Sequence, residues 1–354
     1  MLKIDLIAGT RPNLIKLAPL HRLLKKEKNV ITTFIYTGQH YDKNLYQNNL
    51  SDLGLKKPEI NLGVGSGTHN YQISSVIKKY DKFLQKNRTD LTIVFGDVNS
   101  TLGAALAAKN QKVKVAHIEA GLRCYDDNLQ EEVNRRLTDS ISDYLFTPSI
   151  LENKNLNNEN IKKNIFFVGN IMIDSLKNFF KKKQSFNEQY KNIDGIVTFH
   201  RPENVDNKNT LKEIINELKN WCKNYRILFP IHPRTKKKLN NFNFVKDLRT
   251  IRNLKICEPL NYNEFLLQVY KSNFIITDSG GVQEETSYLG IPCFTVRNNT
   301  ERPITIINGT NKLVKIKEIT KYLGKIKNQK IKISKWDGKT SIRILKIIKK
   351  KFNV

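Results

Sequence analysis

The sequence predicts an α/β protein made of two Rossmann-like domains facing each other across a cleft. Three observations support this. Short apolar runs alternate with helical segments along the whole chain of 354 residues, enough for two domains of ordinary size. The two halves open alike, LIAGT leading into Arg11-Pro12-Asn13 and IVTFH leading into Arg201-Pro202-Glu203-Asn204. Polar and charged residues collect directly after the apolar runs, where parallel sheets bind their ligands.

KIDLIA (3–8) reads as the first strand. PNLIKLAPLHRLLKK (12–26) reads as a helix with Pro12 in its first turn, where a missing N–H costs no hydrogen bond. VITTFIYT (30–37) is β-branched and aromatic, and so is a second strand. LTIVFG (91–96) precedes a helix from Asn99 through Lys109, and VKVAHIE (113–119) precedes the helix EEVNRRLTDSIS (131–142). YLFTPS (144–149) and NIFFVGN (164–170) are shorter strands. The second half restarts with GIVTFH (195–200) and a helix around LKEIINELKNW (211–221). RILFP (226–230), LKICE (254–258), NFIITD (273–278) and PCFTV (292–296) follow, with helices between them. Such runs are those of parallel strands covered on both faces.

FFKKKQSFNEQYKN carries little sheet signal, so the domain boundary is expected in the polar stretch 170–192. The expected domains are 1–170 and 171–339. SIRILKIIKKKF is amphipathic, and residues 340–354 are expected to pack back on the first domain as a helix.

Composition narrows the function classes. A hydrophobic content of 39% fits a globular protein, and no apolar run approaches the roughly 18 residues of a membrane span. MLKIDLIAGTRP is too short and weakly flanked for a signal peptide, so a cytoplasmic location and no membrane partner are expected. Cys124, Cys222, Cys257 and Cys293 are scattered singly, as reduced and mostly buried thiols. The net charge of +28 raises the question of nucleic acid. The lysines, however, fall in solvent-facing helical positions throughout, in runs such as KKKQ and KKKL, without an RNA-recognition, zinc-finger or helix-turn-helix signature. A solvated basic surface is the expectation, with no nucleic-acid partner.

The chemistry gathers at strand ends. After LTIVF stands Gly96-Asp97-Val98-Asn99-Ser100-Thr101, and after VKVAHI stands Glu119-Ala120-Gly121-Leu122-Arg123. His200 and Arg201 follow GIVTF, and His232-Pro233-Arg234 follow RILFPI. Each has an ordinary structural explanation. Asp97 and Asn99 can cap a helix, and Glu119 can pair with Arg123. Glu131 and Glu132 lie four residues before Arg135 and Arg136, the spacing of solvent-facing ion pairs. Four clusters at the same end of consecutive strands point instead to a site. DSGGVQEE (278–285) adds two glycines at a strand-to-helix bend, suited to phosphate, with two carboxylates one turn on.

Taken in order, GTRPNLIK, TGQHYD, GDVNST, HIEAGLR, EEVNR, HRPENV, HPRT, DSGGVQEE and RNNTERP resemble the non-hydrolysing UDP-N-acetylglucosamine 2-epimerases. The likeness runs from Lys3 to about Val314 and resumes at WDGKTSIRI (336–344). It implies a glycosyltransferase-B-type fold with the active site in the interdomain cleft. It also implies interconversion of UDP-GlcNAc and UDP-ManNAc, by anti elimination of UDP to 2-acetamidoglucal and re-addition.

By the same resemblance Asp97, Glu119 and Glu131 are the catalytic carboxylates and His200 is the essential histidine. No single base is assigned among the carboxylates, because neighbouring acids titrate together. Arg11 and Lys16 fall on the diphosphate signature. Ser279, Gly280 and Gly281 offer backbone N–H groups to the phosphates, and Glu285 accepts from the ribose hydroxyls. Glu284 is left to favour the helix dipole, and His21 to the helix surface. His232, Arg234 and Arg302 complete the substrate-binding set.

No cofactor and no metal is expected; the partner is a UDP-sugar, and a homodimer is usual for the family. Gln39 and His40 match part of a site where some relatives bind a second UDP-GlcNAc, though Asp42 replaces an amide there. Gln130 stands where a proline often precedes the glutamate pair. A hydrolysing epimerase and an epimerase of a modified sugar, such as a diacetamido uronic acid, are the alternatives.

Overall fold

The computed structural model describes residues 1–38, 50–181, 190–329 and 331–354; Gln39, His40 and Asp42 lie outside them. The chain divides into two compact units, one of Met1–Lys181 with Ser334–Val354 and one of Lys182–Ile333.

The first unit contains β1 (Leu2–Ala8), β2 (Val30–Tyr36), β3 (Ile60–Asn61), β4 (Leu91–Phe95), β5 (Lys114–Ile118), β6 (Tyr144–Thr147) and β7 (Ile165–Phe167). They form one parallel sheet in the order β3-β2-β1-β4-β5-β6-β7. The second unit contains β8 (Gly195–Thr198), β9 (Ile227–Pro230), β10 (Leu254–Cys257), β11 (Phe274–Thr277), β12 (Cys293–Thr295) and β13 (Asn311–Leu313). Its order is β10-β9-β8-β11-β12-β13, again all parallel. In both sheets the order reverses beside the first strand, between β1 and β4 and between β8 and β11. Connections leave to opposite faces there, and the strand ends open into a crevice.

Burial on both faces explains why the central strands are unbroken apolar runs. Every residue of β4 is buried, against Val76, Tyr80, Ala104, Ala105 and Val115 among others. In the second unit Val197, Phe229, Phe274 and Phe294 pack with Trp221 of the helix Lys208–Trp221. Two features carry too little periodic signal to be read in advance, the two-residue β3 and the three-residue β13. The helix His69–Leu84 was also not anticipated.

The first unit reaches beyond the expected boundaries at 170 and 339. The helix Ile171–Lys181 belongs to it because this helix packs on Arg11–Leu24 and on the C-terminal helix Thr340–Phe352. Ser175 Oγ donates to the Ile15 carbonyl at 2.6 Å. The buried Asp174 carboxylate accepts from the Thr340 and Ser341 N–H groups at 3.0 and 2.7 Å, capping the returning helix.

Candidate active site

In each unit the predicted residues stand in the strand-to-helix connections or in the helices that follow them, and each unit is described separately. In the first unit the turn after β1 is held by Asn13. Its Oδ1 accepts from the N–H groups of Gly9 and Thr10 at 3.3 and 3.2 Å and from Thr10 Oγ1 at 3.0 Å. Its Nδ2 donates to the Phe95 carbonyl at 2.7 Å, so one amide joins the ends of β1 and β4.

One turn along the same helix, Lys16 forms a buried ion pair with Glu119 Oε2. Gly96 runs beside this pair with φ +63°, and a Cβ there would lie 2.9 Å from Lys16 Nζ and 3.0 Å from Glu119 Oε2. Glycine is therefore required twice, for the dihedral and for the space. Glu119 has φ +75°, a left-handed conformation costing a side-chain-bearing residue about 1–2 kcal/mol. It is held there because its N–H and that of Ala120 both donate to the Phe146 carbonyl at 3.1 Å.

Asp97 follows Gly96. Its Oδ2 accepts from Arg135 Nε at 3.0 Å and lies 2.9 Å from Arg135 Nη2. Asn134 Nδ2 donates to the Asp97 carbonyl at 2.9 Å and to Asn99 Oδ1 at 3.1 Å. The helix Gln130–Ile141 thus aims Glu131, Asn134 and Arg135 from one face, the i, i+3, i+4 relation. Glu131 is half-buried on that face.

Beneath the turn the fully buried His117 bridges Asp139 Oδ1 at 2.7 Å and the Gly96 carbonyl at 2.8 Å. Burial raises the Asp139 carboxyl, but the charges of His117 and Arg123 outweigh that and hold it below the usual range.

In the second unit the organising group is Asp278, fully buried at the end of β11. Its carboxylate accepts from the His200 N–H at 2.9 Å, the Arg201 N–H at 2.9 Å and Asn204 Nδ2 at 3.1 Å. His200 Nδ1 lies 2.8 Å from Asp278 Oδ1, which fixes the ring. Burial pushes Asp278 up, yet these donors hold it below its ordinary value. The His232 ring sits 5.3 Å from that of His200. Burial first, and then the neighbouring His200, hold His232 below its ordinary value.

Ser279 is the N-cap residue of the helix Gly280–Leu289, and its N–H donates to Thr277 Oγ1 at 3.0 Å. Arg302 lies against Gly280, where a Cβ would be 2.6 Å from Arg302 Nη1. The arginine is ion-paired with Glu301 and with Glu284, the latter at 3.1 Å. Glu285 is buried on the next position of the helix.

Several expectations change. Glu119 pairs with Lys16 and not with Arg123, which bonds Asp139 and Glu159 instead. Asp97 and Asn99 do not cap: the N-cap of the helix Asn99–Asn110 is Val98. Glu132 is fully buried rather than solvent-facing: it accepts from the Cys124 and Tyr125 N–H groups and pairs with the buried Arg135, in addition to the i+4 contact with Arg136 at 4.0 Å. Glu284 pairs with Arg302 rather than serving a first-turn dipole, because the first turn holds no acid.

His21 is buried against Phe34, not on the surface, and its burial holds it below its ordinary value. Arg234 lies at the exposed start of the helix Pro233–Asn241 and is paired with Asp206. Arg11 opens the first helix and is half-buried. Asn134, His117 and Asp278 were given no role in advance, and Arg135 only that of a surface ion-pair partner, although all stand inside motifs that were singled out.

The family model described as UDP-N-acetylglucosamine 2-epimerase matches residues 22–349. A Methanocaldococcus jannaschii protein named UDP-N-acetylglucosamine 2-epimerase is 42% identical, over 98% of this chain and 99% of its own. A crystal structure of the enzyme from that organism, in complex with UDP-GlcNAc and UDP, superposes with a TM-score of 0.88 at 41% identity, covering 98% of this chain and 99% of the other. A Pseudomonas aeruginosa UDP-2,3-diacetamido-2,3-dideoxy-D-glucuronate 2-epimerase is 34% identical over 88% of each chain. With its two parallel sheets, the fold is of the glycosyltransferase-B type.

Proposed function

The chain belongs to the UDP-N-acetylglucosamine 2-epimerase family, and we propose that it works in the non-hydrolysing manner, interconverting UDP-GlcNAc and UDP-ManNAc. The C2 hydrogen of the sugar is not acidic, since no carbonyl adjoins it. A base therefore removes that proton as the C1–O bond to UDP breaks anti to it, giving 2-acetamidoglucal and UDP. The UDP oxygen then re-adds to C1 while an acid returns a proton to the other face of C2. Such a sequence needs a base, an acid and positive charge for the departing diphosphate.

Asp97, Glu119 and Glu131 supply carboxylates, and Arg11 and Lys16 supply charge. His200, held by Asp278, is a further proton-bearing group. The Ser279–Gly281 turn offers the Gly280 and Gly281 N–H groups at a helix N-terminus to the phosphates, that of Ser279 being taken by Thr277 Oγ1, and Glu285 takes the ribose hydroxyls. His232 and Arg302 support these groups, while Arg234 contributes a flanking charge. The proposal requires both sets to serve one substrate molecule. The observation that carries it is the buried Lys16–Glu119 pair at Gly96, the residue before Asp97: a cation for the leaving group set against a carboxylate for the sugar.

The likeness to a relative that acts on a diacetamido uronate gives a second reading for the sugar. Plain HexNAc is preferred because the relative named for it is more similar, 42% against 34%. Surface-polysaccharide synthesis, a cytoplasmic location and a homodimer belong to the same proposal. Chromatography of purified protein incubated with UDP-GlcNAc tests it. UDP-ManNAc is expected, in equilibrium with substrate and without free ManNAc. Stoichiometric ManNAc and UDP would select the hydrolysing reaction. Turnover of only the diacetamido uronate nucleotide would select the modified sugar.

A further inference from the structure

Two acidic groups at the first crevice are neutralised in different ways. Asp97 faces the planar fork of Arg135, two nitrogens within 3.0 Å of one oxygen, on a guanidinium whose side chain is 4% exposed. That arginine is locked a second time by the buried Glu132. Glu119 Oε2 is met by the ammonium of Lys16, on a four-carbon stem. A rigid fork holds its geometry, whereas an ammonium on a flexible stem re-aims at little cost.

The backbone that carries the carboxylate end of this pair is held in place. Glu119 is fixed in its left-handed conformation by the Phe146 carbonyl. The neighbouring Gly96 N–H is fixed by the Ile118 carbonyl at 3.0 Å. Gly96 presents no Cβ to Lys16 Nζ, where one would lie only 2.9 Å away and crowd the ammonium.

We propose that the substrate diphosphate and Glu119 compete for Lys16, so that seating the diphosphate draws the ammonium away and releases Glu119 for the sugar. This rests on the epimerase reading above. A diphosphate offers more negative charge and more acceptor oxygens than one carboxylate, so it wins the lysine when it arrives. Asp97, clamped by Arg135, is not released. The arrangement ties one reacting carboxylate to the presence of the leaving group: Glu119 is engaged by Lys16 until the diphosphate is gripped. Competition for one cation is a linkage, and its coupling is reciprocal.

The consequence is counter-intuitive, because removing a reacting carboxylate should tighten nucleotide binding. Calorimetric titration of UDP and of uridine into the wild type, E119Q, K16M and K16M/E119Q tests it, with circular dichroism confirming the fold of each. E119Q is expected to bind UDP about three- to tenfold more tightly, a gain of the size such charge couplings reach. Uridine, lacking phosphate, should bind unchanged. K16M should bind UDP at least about tenfold more weakly, and adding E119Q to it should give no gain. E119D, which withdraws the carboxylate without removing it, should shift affinity in the same direction, and it decides the matter if E119Q fails to fold.

Unchanged or weaker UDP binding in E119Q, or a gain that survives without Lys16, overturns the competition. A wild type that neither binds UDP nor forms UDP-ManNAc overturns the epimerase reading itself, which is a different result.

Discussion

Glu285 and Asp278 are both buried carboxylates in the second unit, and the proposed reaction gives them different tasks. Asp278 is saturated by backbone and side-chain donors from the turn after β8. Its work is to hold His200 and the chain around it. Asp278→Ala would leave those donors buried without an acceptor and should cost about 3–5 kcal/mol of stability, read from chemical denaturation. The pH sign follows from its depressed value. Such a group stabilises the fold at pH above the unfolded carboxyl's pKa, and the contribution is lost as pH falls through the folded one. The stability gap between wild type and Asp278→Asn should therefore be full at neutral pH and close in acid; a gap independent of pH would contradict the assignment. Glu285→Ala, by contrast, should leave the fold intact and weaken UDP binding by about 1.5–3 kcal/mol, the worth of a charged acceptor to a buried hydroxyl pair. Calorimetry with UDP measures it, and an unchanged affinity would make Glu285 a structural residue.

At the scale of elements, the two glycines of the turn between β11 and the helix Gly280–Leu289 have different surroundings. A methyl at Gly280 would strike Arg302 and Glu301 at 2.6 and 2.7 Å, while one at Gly281 would meet nothing within 4 Å. Gly280→Ala should therefore lower the melting temperature, whereas Gly281→Ala should melt like the wild type. If phosphate sits against this turn, Gly281→Ala should still lose UDP affinity by about tenfold or more, since the ligand approaches the backbone where only glycine leaves room. A Gly281→Ala protein with wild-type stability and wild-type affinity would move the phosphates elsewhere. The motifs themselves were legible because each follows an apolar run that ends on a polar residue, as LTIVF ends on Gly96-Asp97. Their partners were not. Lys16 meets Glu119 across 103 positions and His200 meets Asp278 across 78, and no local spacing encodes such pairs. Local spacing suggested only part of a partner set. The i+4 rule offered Glu132 the half-buried Arg136, which it meets at 4.0 Å, but burial adds a closer pair with Arg135 at i+3. His21 read as surface from its helix alone, and only the folded sheet brings Phe34 over it.

For the whole molecule, the repeated Arg-Pro opening of the two halves foreshadowed two sheets of parallel strands with the same reversal beside the first strand. The extent of each unit was less visible, because the helix Ile171–Lys181 and the returning helix Thr340–Phe352 are joined by Asp174, a contact across 166 positions. Among the described residues no helix is long and apolar enough to cross a membrane. In the proposed reaction the C2–H bond is broken and remade while UDP is held beside the glucal. Holding both fragments gives re-addition an effective concentration that free solution cannot match. The measurement that tests this most directly is NMR of UDP-GlcNAc incubated with the protein in D2O. UDP-GlcNAc and UDP-ManNAc should both acquire deuterium at C2 with UDP still attached, and Asp97→Asn should lose that exchange while it still binds UDP. Formation of UDP-ManNAc with C2 still fully protonated, or no exchange at all with the active wild type, would contradict it.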